Sequence, residues 1–486
     1  MLSTRAQAII LAAGKSTRFN TGRTKLLEKI CGQEMIIYLT RLFEHLSVQT
    51  TVVVGYQKEA VIDTITKFHS TSIHFITQLE QQGTGHALQC TQAFWQKDHI
   101  IIINGDIPLV SPGIIKELFE KHESNQSSIT FAIAHNPDLA NGSYGRIVKT
   151  NNHIEIIEAR DFTGDPNEHC CINAGIYIVE RTFLQAAIAS IEHNKKSNEF
   201  YITDLVKIAS TQGNPVSTVM VPFDMVRGIN TFQELWAAEQ VKRAELIKYW
   251  MDRGVHFSVA QNVHIDLDVL IGPGTYIGCG VHLQQGSVIG KNCKINEFSS
   301  LENSVIGDNS VIYPHCIIKD AKIGCGVQIG PFAHVRENSV IDDSTIIGNF
   351  VEIKNCTIGK DTKAKHLSYL GDASIGNGVN IGAGTITCNH NGRTKHKTIV
   401  KDKAYIGSNN TLVAPVMISE HAFTAAGSVI TDDVPAHALA VARTRQINKE
   451  NYARVLKMDR CNESAHLSSC PSFVGAIKTK NSTQTT

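Results

Sequence analysis

The sequence predicts two unlike domains in series: an α/β layered sheet, then a prism of short parallel strands. Apolar strands alternate with helix-period stretches before residue 230, whereas the second half repeats every six residues. Glycine follows the same division, with 14 of the 36 before residue 251 and 22 after it.

In the first half, Ala8 to Leu11, Thr51 to Val54, Ile100 to Ile103, Ile129 to Ala134 and Ile172 to Val179 read as strands. Met35 to Leu46 and Ile114 to His122 carry apolar residues at helical spacing. Alternation of this kind implies a Rossmann-like sheet with its ligand crevice at the carboxyl ends of the strands. Thr231 to Arg253 has no glycine or proline and is rich in helix formers, so a helical linker is expected over 230–252. The first domain is then 1–229.

The second domain is expected over 253–460. Every sixth residue from Ile271 is apolar, through Ile277, Leu283, Ile289, Ile295 and Leu301. In a hexad the apolar residues point inward and the turn residues sit at corners, so three hexads complete one coil of a triangular prism. The register slips by one at Ile306 and again at Ile323, which predicts bulges or short corners. A β-sandwich would need period two instead. The hexads stop after Pro435, and 461–486, with nine Ser/Thr in 26 residues, reads as a disordered tail.

The chain of 486 residues is long enough for several cores. Forty-six Lys+Arg balance forty-five Asp+Glu, so no overall field favours nucleic acid or an anionic membrane. The longest early apolar run, Ala8 to Ala13, is too short for a signal or a span, which points to a cytoplasmic protein. Twelve scattered cysteines without a CxxC pair, two of them adjacent at Cys170 and Cys171, suit reduced thiols.

Several motifs carry chemistry. The first strand runs into LAAGKSTR, Leu11 to Arg18, which puts backbone N–H groups and the cations Lys15 and Arg18 at a strand end, a setting suited to polyphosphate. Lys25 follows within reach of the same site. QGTGHA, Gln82 to Ala87, is a second glycine-rich turn, and NGDIPL places Asp106 just past a strand, where a phosphate-bridging metal is usually held.

In this order the stretches resemble the sugar-1-phosphate nucleotidyltransferases. With KHLSYLGDASIGNGVNIGAGTITCN, Lys365 to Asn389, the chain up to about Lys457 resembles a bifunctional bacterial family. That family joins an N-acetylglucosamine-1-phosphate uridyltransferase to a glucosamine-1-phosphate N-acetyltransferase. The resemblance implies a left-handed prism, a homotrimer, Mg²⁺, and acetyl-CoA and UTP as co-substrates with glucosamine 1-phosphate. It implies synthesis of UDP-N-acetylglucosamine for cell-wall and lipopolysaccharide precursors.

By the same resemblance, Leu11, Ala12, Ala13, Gly14, Lys25, Gln78, Gly83, Thr84, Asn104, Gly105 and Asp106 would hold the uridine nucleotide. Gly145, Glu158 and Asn173 would hold the acetylated sugar. Asp106 and Asn230 would ligate Mg²⁺, while Arg18 and Lys25 would neutralise charge in the transferring phosphates. His366 would be the base that takes a proton from the attacking amine. Arg336, Lys354, Tyr369 and Asn380 would form the sugar-phosphate pocket, and Ala383, Asn389, His390, Ser408, Ala426 and Arg443 the acetyl-CoA site. Gly382 and Gly384 read equally well as prism corners. The sequence departs from the family at Ser16, Thr24 and Asn104, which bears on nucleotide preference, and at His390, where tyrosine is common. A monofunctional nucleotidyltransferase would leave His366 and its flanks without a reason. A non-catalytic scaffold of the same domain pairing would be marked by loss of Lys25, Asp106 or His366, and all three are present.

Overall fold

The computed structural model describes residues 2–15, 19, 22–69, 73–136, 144–150, 153–164 and 170–456. Arg18, Ser16 and the 461–486 tail lie outside the described residues.

The first half is built on a nine-stranded sheet. Its elements in chain order are β1 (Ala6–Ala12), α1 (Met35–His45), β2 (Gln49–Val54), α2 (Lys58–Phe68), β3 (His74–Thr77), α3 (Thr84–Gln89), β4 (His99–Asn104) and α4 (Pro112–Ser124). They continue with β5 (Ile129–His135), β6 (Arg146–Thr150), β7 (His153–Ile157), β8 (Cys171–Glu180), α5 (Arg181–Ala187), α6 (Asp204–Thr211), β9 (Val216–Met220) and α7 (Phe232–Met251). The strand order is β9-β5-β8-β4-β1-β2-β3, with β6 and β7 paired beside β8. Strand β1 lies between parallel partners β2 and β4 and is buried throughout, hence its unbroken apolar run. Its alternate residues feed two cores, Ala8 and Ile10 on one face and Ile9 and Leu11 on the other, giving the layered arrangement the sequence predicts.

The second half is a prism whose three faces are parallel sheets of eleven, ten and nine strands. Ile277 pairs with Ile295, eighteen residues on, and Ile295 with Ile312, seventeen on. The missing residue is lost at one corner, where Leu301 and Ile306, and again Ile318 and Ile323, stand five apart instead of six. These tight corners hold Asn303, Asp320, Asn355 and Asp372 in the left-handed region, at φ 45 to 48°. Their short polar side chains tolerate that conformation and stack between coils, Asn303 Nδ2 donating to Asp320 Oδ1 at 2.6 Å and Asn355 Nδ2 to Asp372 Oδ1 at 2.5 Å. The expected slips are therefore short corners, not bulges.

The prism does not stop at Pro435. Leu439–Ala440 adds one more strand beside Phe423–Thr424, held by backbone bonds from Phe423 N–H to Ala438 O and Ala425 N–H to Ala440 O, both 2.8 Å. Small Ala438 and Ala440 pack on the core there in place of isoleucine, so the hexad signal fades before the fold does.

Helix α7 belongs to both halves. Leu235 and Ala238 pack with Phe19, Ile30 and Met35 of the first half, whereas Ile247 and Trp250 sit in the prism core. A backbone bond from Leu267 N–H to Cys31 O, 2.9 Å, adds a second tie. No helix among the described residues is long and apolar enough to cross a membrane. All ten cysteines among the described residues are free.

One buried pair sets an acid limit on stability. His122 of α4 has Nδ1 2.9 Å from the Thr130 hydroxyl, Nε2 without a hydrogen-bond partner, and its ring edge-on to His99 at 5.0 Å. Burial, and then His99, push its pKa down from 6.5 to about 3. The unfolded chain takes up a proton near pH 6.5 that the folded chain refuses, so this contribution is whole above that pH and is lost as pH falls toward 3. The expected slope is about 1.4 kcal/mol per pH unit across that window. Urea titrations of the parent and of His122→Leu at several pH values check it, the variant having the flatter profile.

Candidate functional site

A cavity of about 580 Å³ opens at the carboxyl ends of β1 and β4. Leu11 to Gly14, Lys25, Gln78, Gly83, Thr84, Asn104, Asp106, Gly145, Glu158, Asn173 and Asn230 all line it, so residues drawn from separate motifs meet at one place. Gly105 lies behind the wall, its N–H donating to Leu11 O at 2.8 Å, and a Cβ there would come within 2.9 Å of that oxygen. Glycine is thus required for β1 and the Asp106 loop to close up.

Lys25, Asp106 and Asn230 converge although 81 and 205 residues separate Lys25 from the other two. The Lys25 ammonium is 2.7 Å from Asp106 Oδ2 and 2.7 Å from Asn230 Oδ1. Backbone hydrogen bonding positions the two oxygens: Ile229 N–H donates to Asp106 O at 2.9 Å. Asn230 N–H donates to Glu234 Oε2 at 2.7 Å, and Glu234 N–H donates to the Thr231 hydroxyl at 3.2 Å. This is a capping box at the start of α7, readable as TFQE, which aims the Asn230 side chain into the cavity.

Two oxygen donors facing one point suit a hard divalent cation that takes its remaining ligands from phosphate and water. Among the described residues no group of three or more His, Cys, Asp or Glu could cage a metal. The Asp106 and Asn230 oxygens are a donor set that fits Mg²⁺.

The opposite wall is shaped by an irregularity in β8, whose register against β5 shifts between Asn173 and Tyr177. Asn173 Nδ2 donates to Tyr177 Oη at 2.6 Å, and Asn173 N–H to Gly145 O at 2.9 Å, which fixes the side chain at the cavity edge. Glu158 accepts from the Thr203 hydroxyl at 2.8 Å, and burial raises its carboxyl pKa. Tyr144, Arg160, Tyr201 and Thr203 also line the cavity and were not anticipated by the motifs. Tyr144 was legible in SYGRI beside Gly145; the others have no local signal.

Gly83 sits at φ +97°, and a Cβ there would lie 2.5 Å from the Phe200 carbonyl oxygen. Gly83→Ala is expected to displace the 82–84 turn and to lower by at least about tenfold the uridyl transfer that the resemblance implies, with the implied acetyl transfer unchanged. Steady-state rates of both reactions measure this.

In the second half, the candidate acetyl-transfer residues lie on the outside of the prism. His366 is exposed, and its Nδ1 is 3.0 Å from Asn349 Oδ1, one coil below. With Asn349 Oδ1 accepting from Nδ1–H, Nε2 keeps its lone pair. Asn349 was missed, though the seventeen-residue coil places it directly under His366.

Arg336 and Lys354 stand close together on one face. Arg336 pairs with Glu352 at 2.9 Å and Glu337 at 3.5 Å, and Lys354 pairs with Glu337 at 3.1 Å. Asn389 donates to Asp372 at 2.5 Å and lies 3.4 Å from the Tyr369 hydroxyl. Asn380 lies on the same prism face as Lys363 and Tyr405, its neighbours in adjacent coils. Ser408, Ala426 and Arg443 are exposed and Ala383 half-buried, with Arg443 donating to Ala426 O at 3.0 Å. His390 is exposed at the start of a loop, Asn389 to Lys397, that lengthens one coil, and its Nδ1 accepts from Gly392 N–H at 3.3 Å. Gly382 and Gly384 have structural reasons: a Cβ on Gly382 would lie 2.5 Å from Ser408 N, and Gly384 has φ +75°.

Comparison with known proteins agrees with this division. The family model described as a MobA-like NTP transferase domain matches residues 8–191, and that described as the EIF2B subunit epsilon LbH domain, a left-handed β-helix, matches residues 249–353. The relative from Shouchella clausii, named bifunctional protein GlmU, is 37% identical, over 92% of this chain and 98% of its own. Proteins of the same name from an Exiguobacterium species and from Clostridioides difficile are each 38% identical over 92% of this chain, and over 99% and 97% of their own. With this identity over nearly the full length of both partners, and the matching two-part fold, the chain belongs to the family of bifunctional GlmU proteins.

Proposed function

We infer that the chain is a bifunctional enzyme that makes UDP-N-acetylglucosamine in two steps. It first transfers an acetyl group from acetyl-CoA to glucosamine 1-phosphate. It then transfers uridyl from UTP to the N-acetylglucosamine 1-phosphate, releasing pyrophosphate. The observation that carries this reading is the gathering of the family's motif residues from separate stretches of the first half into one cavity, beside a prism that carries His366 held by Asn349.

For acetyl transfer, His366 Nε2 takes a proton from the glucosamine amine as the nitrogen attacks the thioester carbonyl. The C–S bond then breaks, and the leaving thiolate takes that proton back from His366, so coenzyme A departs as the thiol. Asn349 holds the tautomer, and Arg336 and Lys354 bind the sugar phosphate. For uridyl transfer, a phosphate oxygen of the sugar attacks the α-phosphate of UTP. Lys25, Lys15 and Arg18 bind and neutralise the phosphates, while Asn173, Glu158 and Gly145 orient the sugar. Asp106 and Asn230 would hold Mg²⁺, which when bound draws charge from the phosphate oxygens.

The domains divide at 1–229, 230–252 and 253–460, with α7 shared. The working unit is a homotrimer, a reading supported by an exposed ladder along one prism corner. Phe298, His315, Phe332 and Phe350 stack at 5.3, 4.9 and 5.3 Å, ending in exposed Leu367 beside His366. The ladder is an aromatic stripe left exposed among the described residues, and a neighbouring prism would both cover it and wall the open acetyl-transfer surface. Phe332→Asp with Phe350→Asp is expected to yield monomers in sedimentation that keep uridyl transfer and lose at least about tenfold of acetyl transfer. A parent monomer at micromolar concentration with full acetyltransferase activity would refute it.

A further inference from the structure

We propose that the Lys25 ammonium and the divalent cation compete for the same pair of oxygens, so that the metal enters this site with the nucleotide and not before it. This rests on reading Asp106 and Asn230 as the metal's protein ligands.

The geometry is specific. Lys25 Nζ lies 2.7 Å from Asp106 Oδ2 and from Asn230 Oδ1, the lone pairs a metal would use. The Lys25 and Asp106 side chains are only 14% and 22% exposed, so the pair is partly shielded from solvent and salt. Magnesium binds oxygen at about 2.1 Å, so a metal on both oxygens would crowd the ammonium, and the two positive charges would repel at short range.

Charge balance gives the order. The charged side chains that line the cavity among the described residues balance, Lys15, Lys25 and Arg160 against Asp106, Glu158 and Glu199, and adding a divalent cation leaves two uncompensated positive charges. A triphosphate supplies the missing negative charge and a new partner for the displaced ammonium. Lys25 is then a positioning residue toward the metal: in the empty site it keeps Asp106 and Asn230 together, and in the loaded site it moves to phosphate.

The test is Mn²⁺ binding to the full-length protein, counting free Mn²⁺ by electron paramagnetic resonance, with and without UTP and without sugar phosphate. Lys25→Met, which keeps the chain length and removes the charge, should tighten Mn²⁺ binding to the nucleotide-free protein by at least about tenfold. The thermal transition and the acetyltransferase rate, which belongs to the other half, verify folding. In the unsubstituted protein, UTP should raise Mn²⁺ bound at Asp106 by at least about tenfold beyond that of Mn·UTP in buffer, which tests the coupling without any substitution. Unchanged or weaker affinity in nucleotide-free Lys25→Met, or no rise with UTP in the parent, overturns the proposal. If Asp106→Asn leaves the UTP-dependent Mn²⁺ signal intact, the metal-ligand reading itself fails, an outcome separate from failure of the competition.

Discussion

Asp106→Ala is expected to lower uridyl transfer by about 10³-fold or more and to leave acetyl transfer within about twofold, with pyrophosphate release and thiol release in separate assays as the check. The size follows from the position of the carboxylate. Its Oδ2 lies 2.7 Å from the Lys25 ammonium in the cluster with Asn230, and its loss removes the negative charge that would hold the metal. Among the described residues the cavity is lined by residues up to Asn230 and by none of the prism, so the second reaction has no reason to respond.

His366→Ala is the mirror of that result, lowering acetyl transfer by about 10²- to 10⁴-fold, the range for removing a positioned base, with uridyl transfer from supplied N-acetylglucosamine 1-phosphate unchanged. His366 is exposed at a prism corner, so the alanine costs little stability. Asn349→Ala should give a smaller loss, about tenfold, because the imidazole stays but its tautomer and direction are no longer held. An Asn349→Ala loss as large as that of His366→Ala would mean that Asn349 meets substrate directly.

The two cores were legible because they follow simple periods. The hexads of the prism correspond to buried inward residues from Ile271 to Ile430, and the slips correspond to corners whose Asn and Asp residues accept a left-handed backbone. The hexad signal ends at Pro435, before the last strand, because Ala438 and Ala440 do inward packing without an apolar signal. Helix α7 was legible as a helix, but not as a shared element. Its hydrophobic residues divide between cores along its length instead of forming one stripe, so no periodicity announces that Trp250 belongs to the prism. Cutting the chain near Asp252 would therefore strip Ile247 and Trp250 from the prism core, and point substitutions separate the activities more cleanly.

For the sites, the strand-end motifs located the cavity, since such turns fall at the carboxyl ends of parallel strands. Their convergence was not legible: Lys25 and Asn230 are 205 residues apart and meet through a capping box and one backbone bond. Thr203, which holds Glu158, and Asn349, which holds His366, lie in ordinary sequence and act only through the packing that brings them alongside.

The central claim, two independent sites on one chain acting in sequence, is tested most directly by mixing the two variants. Purified Asp106→Ala supplied with glucosamine 1-phosphate, acetyl-CoA, UTP and Mg²⁺ should accumulate N-acetylglucosamine 1-phosphate, and purified His366→Ala should make nothing from the same mixture. Combined in one tube, the two proteins should produce UDP-N-acetylglucosamine at about half the rate of the parent at equal total protein, with the intermediate passing through solution. If either folded variant lacks both activities, or the mixture makes no nucleotide sugar, the two-site account is contradicted.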